Sequence, residues 1–119
     1  MAGKIYTISE IEAAVAPIAR AYGVGRIALF GSYARGEATP QSDIDLRLID
    51  MGEIRGLFNL SGFQLALEDS LGVHVDVLTT DALSESFLSE ISKDEVIVYE
   101  QQAQEYRYSS ENTQILRPN

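Results

Sequence analysis

The fold of this chain is decided by the stretch LFGSYARGEATPQSDIDL, residues 29–46. Its first two residues end a short apolar run, Arg26–Phe30, which is flanked by glycine and predicts a strand. Its last residues open the segment Asp43–Ile49, in which polar and apolar side chains alternate. This alternation predicts a second strand that carries three polar side chains on one face: Asp43, Asp45 and Arg47. The glycines and the proline of residues 31–42 predict a turn region with one helical turn around Tyr33–Arg35.

The segment before this stretch predicts an amphipathic helix over residues 7–22. Thr7 followed three residues later by Glu10 is a capping-box pattern, which is typical of a helix N-terminus. The apolar residues of the segment recur with the helical period: Ile8, Ile11, Val15, Ile18 and Ala19. Pro17 lies inside the segment, and we expect it to kink the helix or to end it early because it removes a backbone hydrogen bond.

The segment after the alternating strand predicts a second helix followed by a third strand. Residues 55–71 are rich in leucine and phenylalanine, and Gly72 is a natural C-terminal stop. The next segment, residues 73–78, again alternates polar and apolar side chains. This pattern puts His74 and Asp76 on the face opposite three valines.

These elements together predict an α/β (α+β) fold. We expect a small mixed sheet that contains the strands at 26–30, 43–49 and 73–78, with helices packed on one face. Residues 84–91 predict a short helix and residues 96–99 a short strand. The remainder of the chain is polar and predicts a tail.

The composition argues against several classes of function. The chain of 119 residues carries a formal net charge of −9, whereas sequence-independent binding of a nucleic acid backbone needs clustered Lys and Arg. It has no cysteine and a single histidine, which argues against disulfides, thiolate zinc sites and histidine-rich metal sites. It contains no long apolar run of the kind that spans a membrane. The sequence therefore predicts a cytoplasmic protein that neither enters a membrane nor binds nucleic acid directly.

Three carboxylates fall at strand positions from which they can converge. Asp43 and Asp45 project from the same face of one predicted strand, and Asp76 lies midway along the next. If these strands are neighbours, Asp76 joins that face within one strand spacing of about 4.8 Å. Three like charges so close raise one another's pKa unless a cation neutralises them. Carboxylate oxygens favour Mg²⁺ or Mn²⁺, and two such ions form the usual clamp for nucleotidyl transfer.

The dipeptide Gly31-Ser32 predicts a turn that can bind a nucleotide. Glycine lets backbone amides approach an anion closely, and the serine hydroxyl can donate to a phosphate. A triphosphate held there would lie beside the first two carboxylates. Each feature also has a plain structural interpretation, because D-x-D strands and Gly-Ser turns are common without ligands. His74 is more simply interpreted as a surface or outer-shell imidazole than as a catalytic group.

The joint pattern of residues 29–46 resembles the signature of the DNA polymerase beta-like nucleotidyltransferases, which is Gly-Ser, ten residues, then Asp-x-Asp. Gly31-Ser32 and Asp43-Ile44-Asp45 reproduce this spacing. The Ala-Arg-Gly and Ser-Asp-Ile-Asp-Leu elements are similar to those of the minimal nucleotidyltransferases, which usually pair with a HEPN-domain partner. The resemblance implies a nucleotidyltransferase domain over residues 1–99 and leaves a polar C-terminal tail over residues 100–119.

The resemblance also implies a specific chemistry. Asp43, Asp45 and Asp76 would be the catalytic and metal-binding residues, with Mg²⁺ or Mn²⁺ as the cofactor and Asp76 helping to activate an incoming hydroxyl. Gly31 and Ser32 would bind the triphosphate of ATP. Paired members of the family are antitoxins that transfer AMP from ATP to a tyrosine of a HEPN ribonuclease toxin. A hetero-oligomer with such a toxin is the partner assembly that the resemblance implies.

Two other functions stay open at this point. The chain could be a non-catalytic antitoxin that masks its toxin by stoichiometric binding and keeps the carboxylates as a relic. It could also modify a small molecule, although enzymes of that kind need a second domain for the acceptor and the chain has no length left for one. Arg47 departs from the family pattern, and we expect it to contact a phosphate or to form a salt bridge with Asp45.

Overall fold

The structure, a computed structural model, describes residues 3–101 of the chain. Helices and strands alternate along this part, with a single 3₁₀ turn at Thr80–Ala82 before the last helix: α1 (Ile8–Tyr22), β1 (Arg26–Phe30), α2 (Gly31–Ala34), β2 (Ile44–Asp50), α3 (Gly56–Leu71), β3 (Val75–Thr79), α4 (Glu85–Ser92) and β4 (Val96–Glu100). Each predicted element is found within two residues of its predicted bounds. Of the predicted tail, Glu100 ends β4, and residues 102–119 lie outside the described residues.

The strands of the described residues form one mixed sheet in the order β3-β2-β1-β4. Strand β1 is antiparallel to both of its neighbours, whereas β2 and β3 are parallel. Parallel neighbours cannot be joined by a tight hairpin, so they need a crossover connection, and α3 supplies it. The predicted mixed sheet is confirmed, with β4 as a further strand beside β1.

The two long helices, α1 and α3, pack on one face of the sheet, as predicted. Alternate strand residues and one stripe of each helix meet in a single buried core, which includes Ile11, Val15, Ala19, Ile27, Leu29, Leu46, Leu48, Phe63, Leu67 and Leu71. The other face of β2 and β3 therefore carries polar side chains. The short helix α4 contacts this second face where Phe87 meets Phe30 edge-on, with ring centroids 6.3 Å apart.

Helix α1 begins with the predicted capping box. The Thr7 hydroxyl accepts a hydrogen bond from the amide of Glu10 at 3.0 Å, and the Glu10 carboxylate accepts one from the amide of Thr7 at 2.9 Å. The expectation that Pro17 ends the helix early is wrong, because the helix continues to Tyr22. Pro17 lies on the exposed side, so the missing hydrogen bond affects the solvent face while the buried stripe keeps its packing.

Helix α3 buries only part of its apolar surface. Three large apolar side chains on it are exposed to solvent: Leu57, Phe58 and Leu65. Gly62 lies where α1 crosses, since a Cβ at that position would be 3.0 Å from the hydroxyl of Tyr22, whose ring meets Phe63 edge-on. Glycine destabilises a helix in isolation. The close approach of α1 explains why α3 nevertheless has a glycine at position 62. Within residues 3–101, neither α3 nor any other helix has the length and apolarity needed to cross a membrane.

A nearly buried ion pair ties β2 to the residue that precedes β4. Arg47 binds the Glu95 carboxylate through Nε at 2.5 Å and Nη2 at 2.7 Å, and the two side chains are only 12% and 10% exposed. Arg47 Nη1 also donates to the Thr80 hydroxyl at 2.8 Å, which in turn donates to the carbonyl of Leu48 at 2.9 Å. The expectation that Arg47 contacts a phosphate or forms a salt bridge with Asp45 is therefore wrong, because its guanidinium is already paired with Glu95.

We expect Glu95→Ala to lower the free energy of unfolding by about 3 kcal/mol, because it leaves the charge of Arg47 buried without its partner. Glu90→Ala is the matched control, since Glu90 forms an exposed pair with Lys93 at 3.5 Å. Exposed pairs of this kind contribute less than about 1 kcal/mol. Urea unfolding of the two variants measures the difference, and equal losses in both would contradict the role assigned to the buried pair.

Candidate active site

The parallel pairing of β2 and β3 brings the three predicted carboxylates to one region of the sheet. Asp45 and Asp76 are directly paired across the two strands. Asp43 immediately precedes β2, at the point where the amide of Ile44 donates to the carbonyl of His74 at 3.0 Å. One potential ligand atom from each of Asp43, His74 and Asp76 lies within 4.8 Å of the other two. The structure thus joins side chains that the sequence assigns to two separate strands.

Asp45 is strongly affected by this crowding. Burial raises the pKa of Asp45 to about 6, helped by the charge of Asp76, a hydrogen bond with Asp76 and the charge of Asp43, while Arg35 opposes the rise. The carboxylate therefore binds a proton more readily than an aspartate in water. A divalent cation beside it would cancel the repulsion and favour the ionised form.

His74 lies between two carboxylates. Its Nε2 is 2.8 Å from Asp76 Oδ1, and its Nδ1 is 2.8 Å from Glu68 Oε2. The hydrogen bond with Asp76 is the main cause that raises the pKa of His74, and the charges of Asp76, Asp43 and Glu68 add to it. Both ring nitrogens are thus engaged, while the side chain is half exposed. The sequence does not indicate the contact of Glu68 with His74, because no local pattern relates a residue on α3 to the start of β3.

Gly31 and Ser32 lie where β1 passes into α2, next to Asp45. Gly31 has a φ of +77°, and a Cβ on it would overlap Asp45 Oδ2. The left-handed backbone favours glycine at this position, and a Cβ would force the Asp45 carboxylate to move. Phe30, the last residue of β1, is paired with Asp45 on β2. The predicted nucleotide-binding turn and the predicted metal ligands are thus immediate neighbours.

A cleft of about 430 Å³ adjoins this turn and lies between α2 and α4. It is lined by two aromatic residues, Gly31, Ile91, one cation and two carboxylates: Phe30, Phe87, Arg35, Glu90 and Asp94. Arg35 is exposed and bonded to Glu37 at 3.0 Å. The volume is within the usual range for small-molecule sites, and the two aromatic residues offer an apolar surface.

The donor set fits a hard divalent cation. Asp43, Asp45 and Asp76 offer the carboxylate oxygens that Mg²⁺ and Mn²⁺ prefer. The raised pKa of Asp45 marks negative charge that such an ion would compensate. Carboxylates grouped beside a glycine turn are the kind of arrangement that proteins transferring phosphoryl or nucleotidyl groups use to hold metal ions.

Comparison with known proteins identifies the family within this class. The family described as "Nucleotidyltransferase domain" matches residues 10–99, and the chain belongs to this family. The chain is 33% identical over 96 residues to the protein adenylyltransferase MntA of Thermococcus cleftensis, an alignment that covers 77% of this chain and 96% of that relative. The resemblance to the minimal nucleotidyltransferases is confirmed.

Solved structures share the fold. A structure described as a candidate minimal nucleotidyltransferase is 31% identical, with a TM-score of 0.66, and covers 79% of this chain and 98% of its own. A toxin–antitoxin structure with AMP-PNP gives a TM-score of 0.65 at 18% identity, covering 89% of this chain and 86% of that one. A complex of tri-AMPylated Shewanella oneidensis HEPN toxin with MNT antitoxin gives a TM-score of 0.60 at 15% identity, covering 92% of this chain and 87% of that one. These likenesses confirm the polymerase beta-like nucleotidyltransferase fold.

We expect Gly31→Ala to weaken ATP binding roughly tenfold or more, because the new methyl group overlaps Asp45 Oδ2 and displaces the turn that would donate to the phosphates. Gly36→Ala is the matched control, since Gly36 has a similar φ of +74° but a Cβ there meets no atom within 4 Å. Both variants bear a backbone strain of about 1 kcal/mol or more. Calorimetric titration with ATP compares them, and equal affinities would contradict the close approach as the cause.

Asp45→Asn is expected to stabilise the metal-free protein at neutral pH. The pKa of Asp45 rises from 3.8 to about 6 on folding, so the folded chain holds this proton more tightly and stability falls as the pH rises from about 4 to about 6. Above that window the wild-type carboxylate is charged in an unfavourable place. Thermal unfolding in EDTA should give the variant a higher Tm at about pH 7 and no advantage below about pH 4.

Asp69→Asn supplies the control for this experiment, because Asp69 is exposed on α3. Its Tm should follow that of the wild type at both pH values. A stabilisation by Asp45→Asn that does not change with pH would show that the repulsion between carboxylates is not its cause.

Proposed function

We propose that this chain is a protein adenylyltransferase that transfers AMP from ATP to a tyrosine hydroxyl of a HEPN ribonuclease toxin, and that it neutralises the toxin as its antitoxin. The observation that carries the proposal is the position of Asp45, which is paired with Asp76 on the neighbouring strand and lies against Gly31. A proton acceptor, a potential metal ligand and a nucleotide-binding turn then share one site. Membership of the nucleotidyltransferase family supports this assignment.

The proposed reaction joins the tyrosine oxygen to the α-phosphorus of ATP. As this bond forms, the bond from the α-phosphorus to the oxygen that bridges to the β-phosphate breaks, and pyrophosphate leaves. The proton of the hydroxyl passes to the carboxylate of Asp76. Gly31 and Ser32 hold the triphosphate, so that the attacking oxygen and the leaving pyrophosphate are in line.

Asp43, Asp45 and Asp76 would hold Mg²⁺ or Mn²⁺ in this reaction. When bound, such an ion supplies positive charge against the phosphates and the leaving group. The raised pKa of Asp45 supports this role, because burial and then the charges of Asp76 and Asp43 disfavour its ionised form when no counter-charge is present. Without an ion, His74 Nε2 lies 2.8 Å from Asp76 Oδ1 and helps to orient that carboxylate.

The choice of partner is supported by the similar proteins. A structural neighbour pairs an MNT antitoxin with a tri-AMPylated HEPN toxin, and another toxin–antitoxin neighbour holds AMP-PNP. The similar protein of Thermococcus cleftensis is named a protein adenylyltransferase. The net charge of −9 favours association with a basic protein surface. We therefore expect a hetero-oligomer with the toxin and ATP as the nucleotide substrate.

The roles of Asp76 and Ser32 separate in a transfer assay. Asp76→Ala removes the proton acceptor, which costs about 10²- to 10⁴-fold in rate. Ser32→Ala removes one hydrogen bond to an anion, which costs roughly 10- to 150-fold and appears partly as weaker ATP binding. The assay measures label transferred from α-labelled ATP to the HEPN toxin proposed as the partner, with Mg²⁺ and with EDTA.

A pull-down of the HEPN protein without ATP serves as the control, and both variants should still bind it. Full transfer by Asp76→Ala would refute the role given to this residue. Toxin neutralisation without label, equal in Asp45→Asn and in the wild type, would instead favour an antitoxin that masks its partner by binding alone. Transfer that persists in EDTA would contradict the metal requirement.

A further inference from the structure

The pair formed by Asp43 and Asp76 has a third neighbour that the carboxylate motif does not include, the imidazole of His74. Its Nε2 is 2.8 Å from Asp76 Oδ1, and one donor atom from each of the three residues lies within 4.8 Å of the others. In an octahedral site with bonds of about 2.1 Å, adjacent ligand atoms are about 3.0 Å apart and opposite ones about 4.2 Å. The three donors can therefore reach a common ion after small side-chain rotations.

Glu68 orients this imidazole from outside the group. Its Oε2 is 2.8 Å from His74 Nδ1 and also accepts the amide of Val75 at 3.0 Å. The carboxylate is thus fixed between α3 and β3. A carboxylate bound to Nδ1 keeps a proton on that nitrogen and directs Nε2 away from it. Metal-bound histidines in proteins are usually supported by a carboxylate or carbonyl in this way.

We propose that His74 Nε2 is a ligand of the divalent cation together with Asp43 and Asp76, and that this imidazole makes the site favour Mn²⁺ over Mg²⁺. Mg²⁺ is bound chiefly by oxygen, whereas nitrogen ligands suit transition metals better. On binding, Nε2 gives up the proton that it shares with Asp76, this proton leaves to solvent, and the freed lone pair of Nε2 binds the ion. The proposal rests on the metal-dependent function proposed above and deepens it by naming a residue that selects the metal.

Pulsed EPR of Mn²⁺ added to the full chain, without ATP or partner, tests the proposal directly. Nitrogen bound to Mn²⁺ produces a ¹⁴N modulation, which we expect in the wild type and not in His74→Gln. Glutamine is the matched replacement because its amide can still donate to Asp76, so the orientation of that carboxylate is preserved. We expect His74→Gln to lower the Mn²⁺ affinity about 10- to 100-fold and the Mg²⁺ affinity much less.

Glu68→Gln provides a second variant. It should keep the ¹⁴N modulation while lowering the Mn²⁺ affinity about tenfold, because the imidazole is still present but less firmly oriented. A wild-type spectrum without bound nitrogen would overturn the proposal, as would a nitrogen signal that persists in His74→Gln or no binding at millimolar Mn²⁺. If the wild type transfers AMP but its Mn²⁺ spectrum shows oxygen ligands only, the histidine ligand is refuted and the proposed function is unaffected.

Discussion

The parallel pairing of β2 with β3 is the constraint on which the rest of this structure depends. It places Asp45 beside Asp76 and requires the crossover that α3 provides. The same pairing buries Val75 completely. Because side chains alternate along a strand, a slip of one residue would expose Val75 and turn Asp76 toward the core. The hydrophobic core and the carboxylate site are therefore set by a single register.

That register concentrates negative charge, and the neighbouring cations do not neutralise it. Arg47 shares the polar face of β2 with Asp45, yet its guanidinium is bound to Glu95. An arginine paired with Asp45 would lower the pKa of the carboxyl and would compete with a metal ion for its oxygens. Burial, together with Asp76 and Asp43, raises the pKa of Asp45 to about 6, and the charge of Arg35 opposes this only in part. The fold thus keeps these carboxylates available for an external cation.

The Arg47–Glu95 pair also links the carboxylates to the cleft. Glu95 lies three residues after the end of α4, and Phe87 of α4 lines the cleft with Phe30. Gly31 lies between the cleft and the carboxylates. Because it has no side chain, the carboxylate of Asp45 can lie directly against the turn. A nucleotide in this cleft would have its phosphates next to the carboxylates. The segment from α4 to β4 therefore contributes to stability through Glu95 and to the cleft through Phe87.

What the sequence determined is the local structure and the face on which each side chain lies. The alternation around Asp43, Asp45 and Asp76 was enough to predict two strands with their polar faces, and the Thr7–Glu10 pattern was enough to predict the cap of α1. These signals can be read because backbone period and capping involve residues only a few positions apart. The resemblance of residues 29–46 to a known signature extended this to the family, which the comparisons confirm.

What only the tertiary structure decided is which distant side chains meet. The Glu95 partner of Arg47 is 48 positions away, and the contact of Glu68 with His74 depends on how α3 returns to β3. The effect of Pro17 was also decided by packing, because a helix held by its buried face tolerates one missing hydrogen bond on the solvent side. Such pairings depend on strand order and helix placement, which have no local period in the chain, and so local patterns could indicate the carboxylates but not the residues that surround and orient them.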